Sequence, residues 1–123
     1  MSLVSIALVV HVLAATFWAG STFTLARTQG KSADQLFVPQ MGAAAVAVVA
    51  GVFVWREALG AGDHAVLGAG SLAALLAAIV QAVVVGRARR RIATEPAALA
   101  RALLAHRVAA GLLVVTIVCM VVQ

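Results

Sequence analysis

Four long runs of apolar residues, separated by short polar segments, divide the chain. They predict helices at about residues 3–26, 37–55, 65–86 and 97–122. Each run reaches the roughly 20 residues that a helix needs to cross a bilayer, and none shows the alternating pattern of a membrane β-strand. The short connections favour antiparallel neighbours. We therefore expect an all-α fold: a single domain over residues 1–123 in which four transmembrane helices form an up-down bundle.

The composition of the chain agrees with lipid as its solvent. Of its 123 residues, 64% are hydrophobic and 11% are charged, and the mean hydropathy is +1.11. Ordinary globular domains carry about 45–50% apolar and about 25% charged residues. The first apolar run has no Lys or Arg before it and is longer than the apolar core of a signal peptide. It is interpreted as a retained helix.

Positive charge is concentrated in two of the three connecting segments. The cationic residues there are Arg27, Lys31, Arg87, Arg89, Arg90, Arg91, Arg101 and Arg107. The remaining segment holds Arg56 with Glu57 and Asp63. Because cationic loops stay cytoplasmic, both termini are predicted on the outer, periplasmic side of a bacterial inner membrane. The net charge of +5 is interpreted as contact with anionic lipid headgroups of the bilayer, with no nucleic acid as a partner.

Two predicted helices carry small or amide side chains along one face. These are Gln40, Ala44, Ala47 and Gly51 in the second helix, and Gly70, Ala74, Ala77 and Gln81 in the third. Small residues let membrane helices approach closely, and an amide side chain can bridge to a neighbour. The two faces are predicted to serve close packing, most simply against each other.

The first helix places a histidine inside an apolar run. Trp18 follows His11 at about 20° around the helix, and Thr22 lies close to the same line. Polar residues at this depth normally face the bundle interior and often mark a site. Two interpretations stay open: His11 binds a ligand, or it is neutral and bonded to a backbone carbonyl or a Ser or Thr hydroxyl.

Two further histidines and a methionine complete the set of candidate ligands. His64 is expected at the outer start of the third helix. His106 is expected near the inner end of the fourth helix, where a position among lipid headgroups is the alternative to a site. Met120 is expected near the outer end of the same helix. If the outer helix ends converge, His11, His64 and Met120 form a copper site, because Cu(I) accepts imidazole and thioether ligands.

Haem b is the alternative cofactor. It needs two histidines at similar depth on facing helices, and the pair would be His11 with His106 or His64, with Trp18 beside the first of them. The three histidines are expected at three depths, which favours copper over haem. No nucleophile–base pair, phosphate loop or membrane carboxylate is found, since all four acids are expected in loops: Asp34, Glu57, Asp63 and Glu95.

The first helix contains the pattern H-x6-W-x-G, formed by His11, Trp18 and Gly20. This pattern resembles the opening helix of CopD-like copper-resistance membrane proteins and of the related HemJ-type protoporphyrinogen oxidases. The resemblance to the HemJ type extends over most of the chain. It includes an early proline and a later glycine in the second helix (Pro39 and Gly51), a histidine that opens the third helix, an arginine-rich loop and a final apolar helix.

The resemblance implies a four-helix membrane fold with a histidine site on the first helix that binds copper or haem. Val66 stands where the HemJ type has a lysine that its activity needs, so the chain is not expected to catalyse that oxidation. Three hypotheses result. The first is a CopD-like protein of copper transport or tolerance, the second is a b-haem redox protein related to the HemJ type, and the third is a non-catalytic accessory subunit of a larger membrane complex. A homo-oligomer is compatible with each.

Overall fold

The chain folds into four long helices. The computed structural model describes residues 1–28 and 32–123, and within these ranges it contains helices and turns but no strand. The helices are α1 (Leu3–Arg27), α2 (Ala33–Leu59), α3 (Ala65–Ala88) and α4 (Pro96–Val122), and each is long and apolar enough to cross a membrane. The predicted all-α, four-helix fold is confirmed.

The helix that departs most from its predicted bounds is α2, which extends four residues further at each end. Its first turn forms inside the polar segment, where the Leu36 amide donates to the Ser32 carbonyl at 3.0 Å. Its last turn, Trp55–Leu59, is π-helical. Gly60 comes next with a φ of 64°, in the left-handed region that favours glycine. The predicted bounds were wrong because they tracked apolarity, whereas the backbone hydrogen bonds continue into polar sequence.

Asp34 and Glu57 therefore lie in the end turns of α2 rather than in the loops that the sequence predicted. Asp34 accepts a hydrogen bond from Arg89 Nε at 2.9 Å, which is the one salt bridge found among the described residues. The guanidinium of Arg89 also lies 4.7 Å from the ring centroid of Phe37. These contacts tie the end of α3 to the start of α2.

Contacts between the helices are unequal. α1 packs along α2 and also contacts α4, α3 packs along α4, and few contacts join α2 to α3. Along the α1–α2 pair, residue numbers rise in one helix as they fall in the other. Thr22 is hydrogen-bonded to Gln40, whereas the earlier residue His11 is hydrogen-bonded to the later residue Ala47. The neighbours are antiparallel, and the predicted up-down order is confirmed.

Contrary to the prediction, the small-residue faces of α2 and α3 do not pack against each other. The α2 face lies on α1, where the His11 ring rests against Gly51. The α3 face lies on α4, where a Cβ placed on Gly70 would be 2.6 Å from Cys119 Cβ and where Thr116 Oγ1 donates to the Gly70 carbonyl at 2.9 Å. The prediction was wrong because residue spacing identifies a packing face but not its partner.

Two layers of buried residues fill the bundle. The first comprises Leu25, Ala33, Val85, Ala88, Ile92, Ala98, Ala102 and Ala105, and the second comprises Trp18, Ala44, Ala47, Ala74, Ala77, Ala109 and Leu113. Alanine dominates both layers, which lets the helix backbones approach closely. Large aliphatic side chains point outward instead: Leu13 is 67% exposed and Val49 is 70% exposed. This inverted arrangement suits a protein whose solvent is lipid.

Both termini lie at the same end of the bundle as the turn between α2 and α3. Gln123 lines one shallow depression together with residues 63–67 of that turn and of the start of α3. The arginine-rich turn between α3 and α4 lies at the opposite end. The side of the membrane that each end faces stays a prediction from loop charge. Lys31, one of the cationic residues on which that prediction depends, lies outside the described residues.

Replacing Gly70 by alanine is expected to destabilise the bundle. The new methyl group would lie 2.6 Å from Cys119 Cβ and 3.3 Å from the Thr116 carbonyl oxygen, so α3 and α4 would have to separate at a cost of about 1–3 kcal/mol. Gly42→Ala is the matched control, because no atom of another helix lies within 4 Å of its Cβ position and alanine favours the helix. Thermal unfolding of both variants in one detergent measures the difference. Equal midpoints would contradict the close approach.

Candidate functional site

A tryptophan of α1 and a glutamine of α3 meet in the interior of the bundle. Trp18 Nε1 donates to Gln81 Oε1 at 2.7 Å, and the two side chains are 3% and 1% exposed. Gln81 opens a π-helical turn, Gln81–Val85, inside α3. Such turns are frequent at functional sites. The burial of Trp18 agrees with its predicted position inside the membrane segment.

The indole of Trp18 fixes the orientation of the Gln81 amide. An indole N–H can only donate, so the atom that receives it must be the amide oxygen. The amide nitrogen is then left with two hydrogens, which it donates to Thr22 Oγ1 at 2.9 Å and to His106 Nδ1 at 3.2 Å. One side chain of α3 thereby connects α1 to α4.

A second glutamine joins α2 to the same hydroxyl group. Gln40 Nε2 donates to Thr22 Oγ1 at 3.0 Å and to Ser21 Oγ at 3.2 Å. Thr22 in turn donates to the Trp18 carbonyl at 2.7 Å, so its hydroxyl gives one hydrogen bond and accepts two, which is its full capacity. This network takes a member from every helix. We name its five buried residues the polar core: Trp18, Thr22, Gln40, Gln81 and His106.

Two atoms of the polar core have no hydrogen-bond partner among the described residues. They are Gln40 Oε1 and His106 Nε2, and both side chains are fully buried. Because Gln81 donates to Nδ1 of His106, the uncharged ring carries its proton on Nε2. The polar core thus ends in one unpaired acceptor and one unpaired donor. Each costs about 1–3 kcal/mol when it is left without a partner.

The burial of His106 bears on the two alternatives that the sequence left open. Its side chain is fully buried among the helices, whereas the second alternative placed it among lipid headgroups. α4 begins at Pro96, and His106 lies ten residues, or about 15 Å, along it. The neighbouring Arg101 and Arg107 are exposed on other faces of the helix. Their charge led to the prediction of a position near the membrane interface, but charge does not indicate which face of α4 turns inward.

The hydrogen bonds of His106 do not fit a metal ligand. A ligating imidazole offers the lone pair of one nitrogen and donates from the other. In His106, Nδ1 accepts a hydrogen bond and Nε2 carries the proton. For Nε2 to bind haem iron, the Gln81 amide would have to turn over, and the N–H of Trp18 would then face an amide N–H. The residues present therefore do not fit a haem held by His106.

His11 lies outside the polar core, and the roles of its two ring nitrogens are the reverse of those in His106. Its Nδ1 lies 2.7 Å from the Ala47 carbonyl oxygen, and since a carbonyl can only accept, Nδ1 is the donor. The half-buried ring rests on Gly51, where an added Cβ would lie 2.9 Å from Cε1 of the histidine. Nε2 forms no hydrogen bond to a described residue, so in the uncharged ring it keeps a free lone pair. The backbone-carbonyl bond of the second interpretation, in which His11 binds no ligand, is present. Ligand binding at the second nitrogen stays a prediction.

His64 and Met120 lie at the end of the bundle that holds both termini. The His64 ring packs edge-on against Trp55, with centroids 5.9 Å apart and planes at 88°, and it lines the depression there, whose volume is about 210 Å³. Neither His11 nor Met120 lines that depression. Across residues 1–28 and 32–123, no three His, Cys, Asp or Glu side chains are grouped closely enough to hold a metal ion.

The structure joins two of the three predicted cofactor-binding residues. Trp18 and His106 both bond to Gln81, whereas His11 does not reach that amide. Sequence reasoning missed the role of Gln40 and Gln81, which it assigned to packing. The sequence feature that could have indicated this role is the amide side chain at one end of each small-residue face, inside an apolar run. Spacing alone could not show that both amides meet the same threonine.

Comparison with known proteins identifies no relative of this chain. No family model, no curated protein and no solved structure matches this chain.

Replacing Gln81 by methionine is expected to destabilise the protein by about 1–3 kcal/mol. Methionine has nearly the same length but no amide, so the Trp18 indole N–H is left buried without a partner. Gln35→Met is the matched control, because Gln35 is exposed near the start of α2 and its change should stay within about 0.5 kcal/mol. Equilibrium unfolding in mixed micelles measures both variants. If they unfold alike, the amide of Gln81 does not stabilise the bundle.

Proposed function

We propose that this chain is a CopD-like membrane protein that handles copper, in transport or tolerance, with His11 as a ligand of the ion. The observation that carries the proposal is the hydrogen bond from His11 Nδ1 to the Ala47 carbonyl. Metal-ligating histidines almost always donate from their second nitrogen to a carbonyl, carboxylate or water, which orients the ring and makes the ligating nitrogen more basic. His11 already has this arrangement.

The packing around His11 supports the same role. Gly51 leaves the room that the ring occupies, since a side chain there would collide with the imidazole. The ring is thus held by a hydrogen bond on one side and by a helix backbone on the other. Imidazole suits copper in either oxidation state. What this chain contributes is an oriented, half-buried lone pair within a membrane segment.

One imidazole does not complete a copper site. We propose that further ligands come from the end of the bundle that holds both termini. His64 is the first candidate, because its Nε2 is buried without a partner among the described residues. Met120 is the second, because a thioether favours Cu(I). With both termini on the periplasmic side of an inner membrane, as loop charge predicts, this end would exchange copper with the periplasm.

Binding of Cu(I) to the purified protein in detergent tests the proposal. Wild-type protein is expected to retain the ion after desalting, and His11→Ala to bind it at least ten times more weakly. His106→Gln is the matched control: it also removes an imidazole, but one whose hydrogen bonds do not fit a ligand, so its copper content should equal the wild type. Gly51→Ala should weaken binding by displacing the ring. Copper is measured by elemental analysis, and haem by the absorbance spectrum.

Three results would contradict the proposal. His11→Ala could retain as much copper as wild type, which would remove His11 as the ligand. A haem spectrum in place of copper would instead select the redox hypothesis. Stoichiometric partner proteins with no bound copper would select the accessory-subunit hypothesis.

A further inference from the structure

A depression at the arginine-rich end of the bundle is lined by three arginines. It lies where α3 ends and α4 begins, and its volume is about 330 Å³. Its lining residues are Val83, Val84, Arg87, Ala88, Arg91 and Arg101. It is at the opposite end of the protein from His64 and contains no residue of the polar core.

The positive charge of this depression is not balanced by the described parts of the chain. The one salt bridge there joins Asp34 to Arg89, whose guanidinium lies over Phe37 rather than in the depression. Glu95, the only acid in the turn between α3 and α4, does not line it either. The three lining arginines are exposed and form no salt bridge with a described residue. A guanidinium group can bind phosphate through two parallel N–H bonds, so three neighbouring arginines without a salt bridge favour a phosphate ligand.

The apolar part of the lining indicates which class of phosphate-containing ligand the depression fits. Val83 and Val84 belong to the part of α3 that crosses the membrane, and Val83 is 43% exposed. Arg87 comes one helical turn later, so the depression extends across the boundary between the apolar and the charged part of α3. A free phosphate ion would use only the arginines. A phospholipid would use both parts, with its phosphate on the arginines and an acyl chain along the valines.

We infer that this depression is a binding site for the headgroup of an anionic phospholipid. The site is independent of the copper proposal, since it shares no residue with it. It differs from general attraction of a basic loop to a membrane in that it depends on particular arginines. Arg90 lies in the turn between α3 and α4, is also exposed and does not line the depression.

Native mass spectrometry of the delipidated protein in detergent, titrated with phosphatidylglycerol, tests the inference. Wild type is expected to retain one lipid preferentially, and Arg87→Gln combined with Arg101→Gln to bind it at least ten times more weakly. The matched control combines Arg27→Gln with Arg90→Gln, which removes the same charge outside the depression, and its affinity should stay within a factor of two. Phosphatidylcholine should bind at least ten times more weakly than phosphatidylglycerol, and inorganic phosphate at equal concentration should not displace the lipid.

Each opposite result would overturn the inference. Equal weakening in the control variant would indicate diffuse surface charge, equal retention of phosphatidylcholine would indicate apolar contact alone, and displacement by inorganic phosphate would make the ligand a free anion. Far-ultraviolet circular dichroism checks the fold of each variant. If the double variant does not fold, Arg101→Lys replaces it. That change keeps the charge but loses the planar guanidinium group, so the variant should bind phosphatidylglycerol about three times more weakly than wild type. Unchanged affinity would overturn the inference.

Discussion

The hydrogen bonds of the Gln81 amide are the interaction on which the arrangement of the bundle depends. Lipid tails are as apolar as leucine, so apolar burial alone does not choose which helices pair in a membrane. Close backbone packing and hydrogen bonds make that choice. Gln81 bonds to α1 twice and to α4 once, and Gln40 brings α2 to the same threonine hydroxyl. Because α2 and α3 share few direct contacts, Thr22 is the point at which they are joined through α1.

The two histidines inside the membrane segments have different hydrogen bonds and therefore different chemistry. His106 accepts from Gln81 and keeps its proton on the far nitrogen, so it acts as a member of the polar core. His11 donates to a carbonyl and keeps a lone pair on the far nitrogen, so it suits a metal. A haem bound between these two residues would need the Gln81 amide reversed against the Trp18 indole. Copper at His11 needs no change in the polar core, which is why the proposed function rests on that residue.

The sequence predicted the features that apolarity and helical period determine, and not those that depend on which helix faces which. Four helices and the burial of Trp18 could be read directly from the pattern. The partners of Gln40 and Gln81 could not, because residue spacing gives the direction of a side chain on its own helix but not the neighbour that it meets. The burial of His106 could not be predicted for a related reason. Its charged neighbour Arg107 is exposed, and the two adjacent residues point to different faces of α4.

The protonation of the two ring nitrogens in each histidine tests this account most directly. Nitrogen-15 NMR of histidine-labelled protein in lipid nanodiscs distinguishes a protonated from an unprotonated ring nitrogen, and the variants His11→Ala and His106→Gln assign the signals. At a pH where both rings are uncharged, His106 is predicted to carry its proton on Nε2 and His11 on Nδ1. A proton on Nδ1 of His106, or on Nε2 of His11, would contradict the hydrogen-bond network and, with it, the choice of His11 as the ligand.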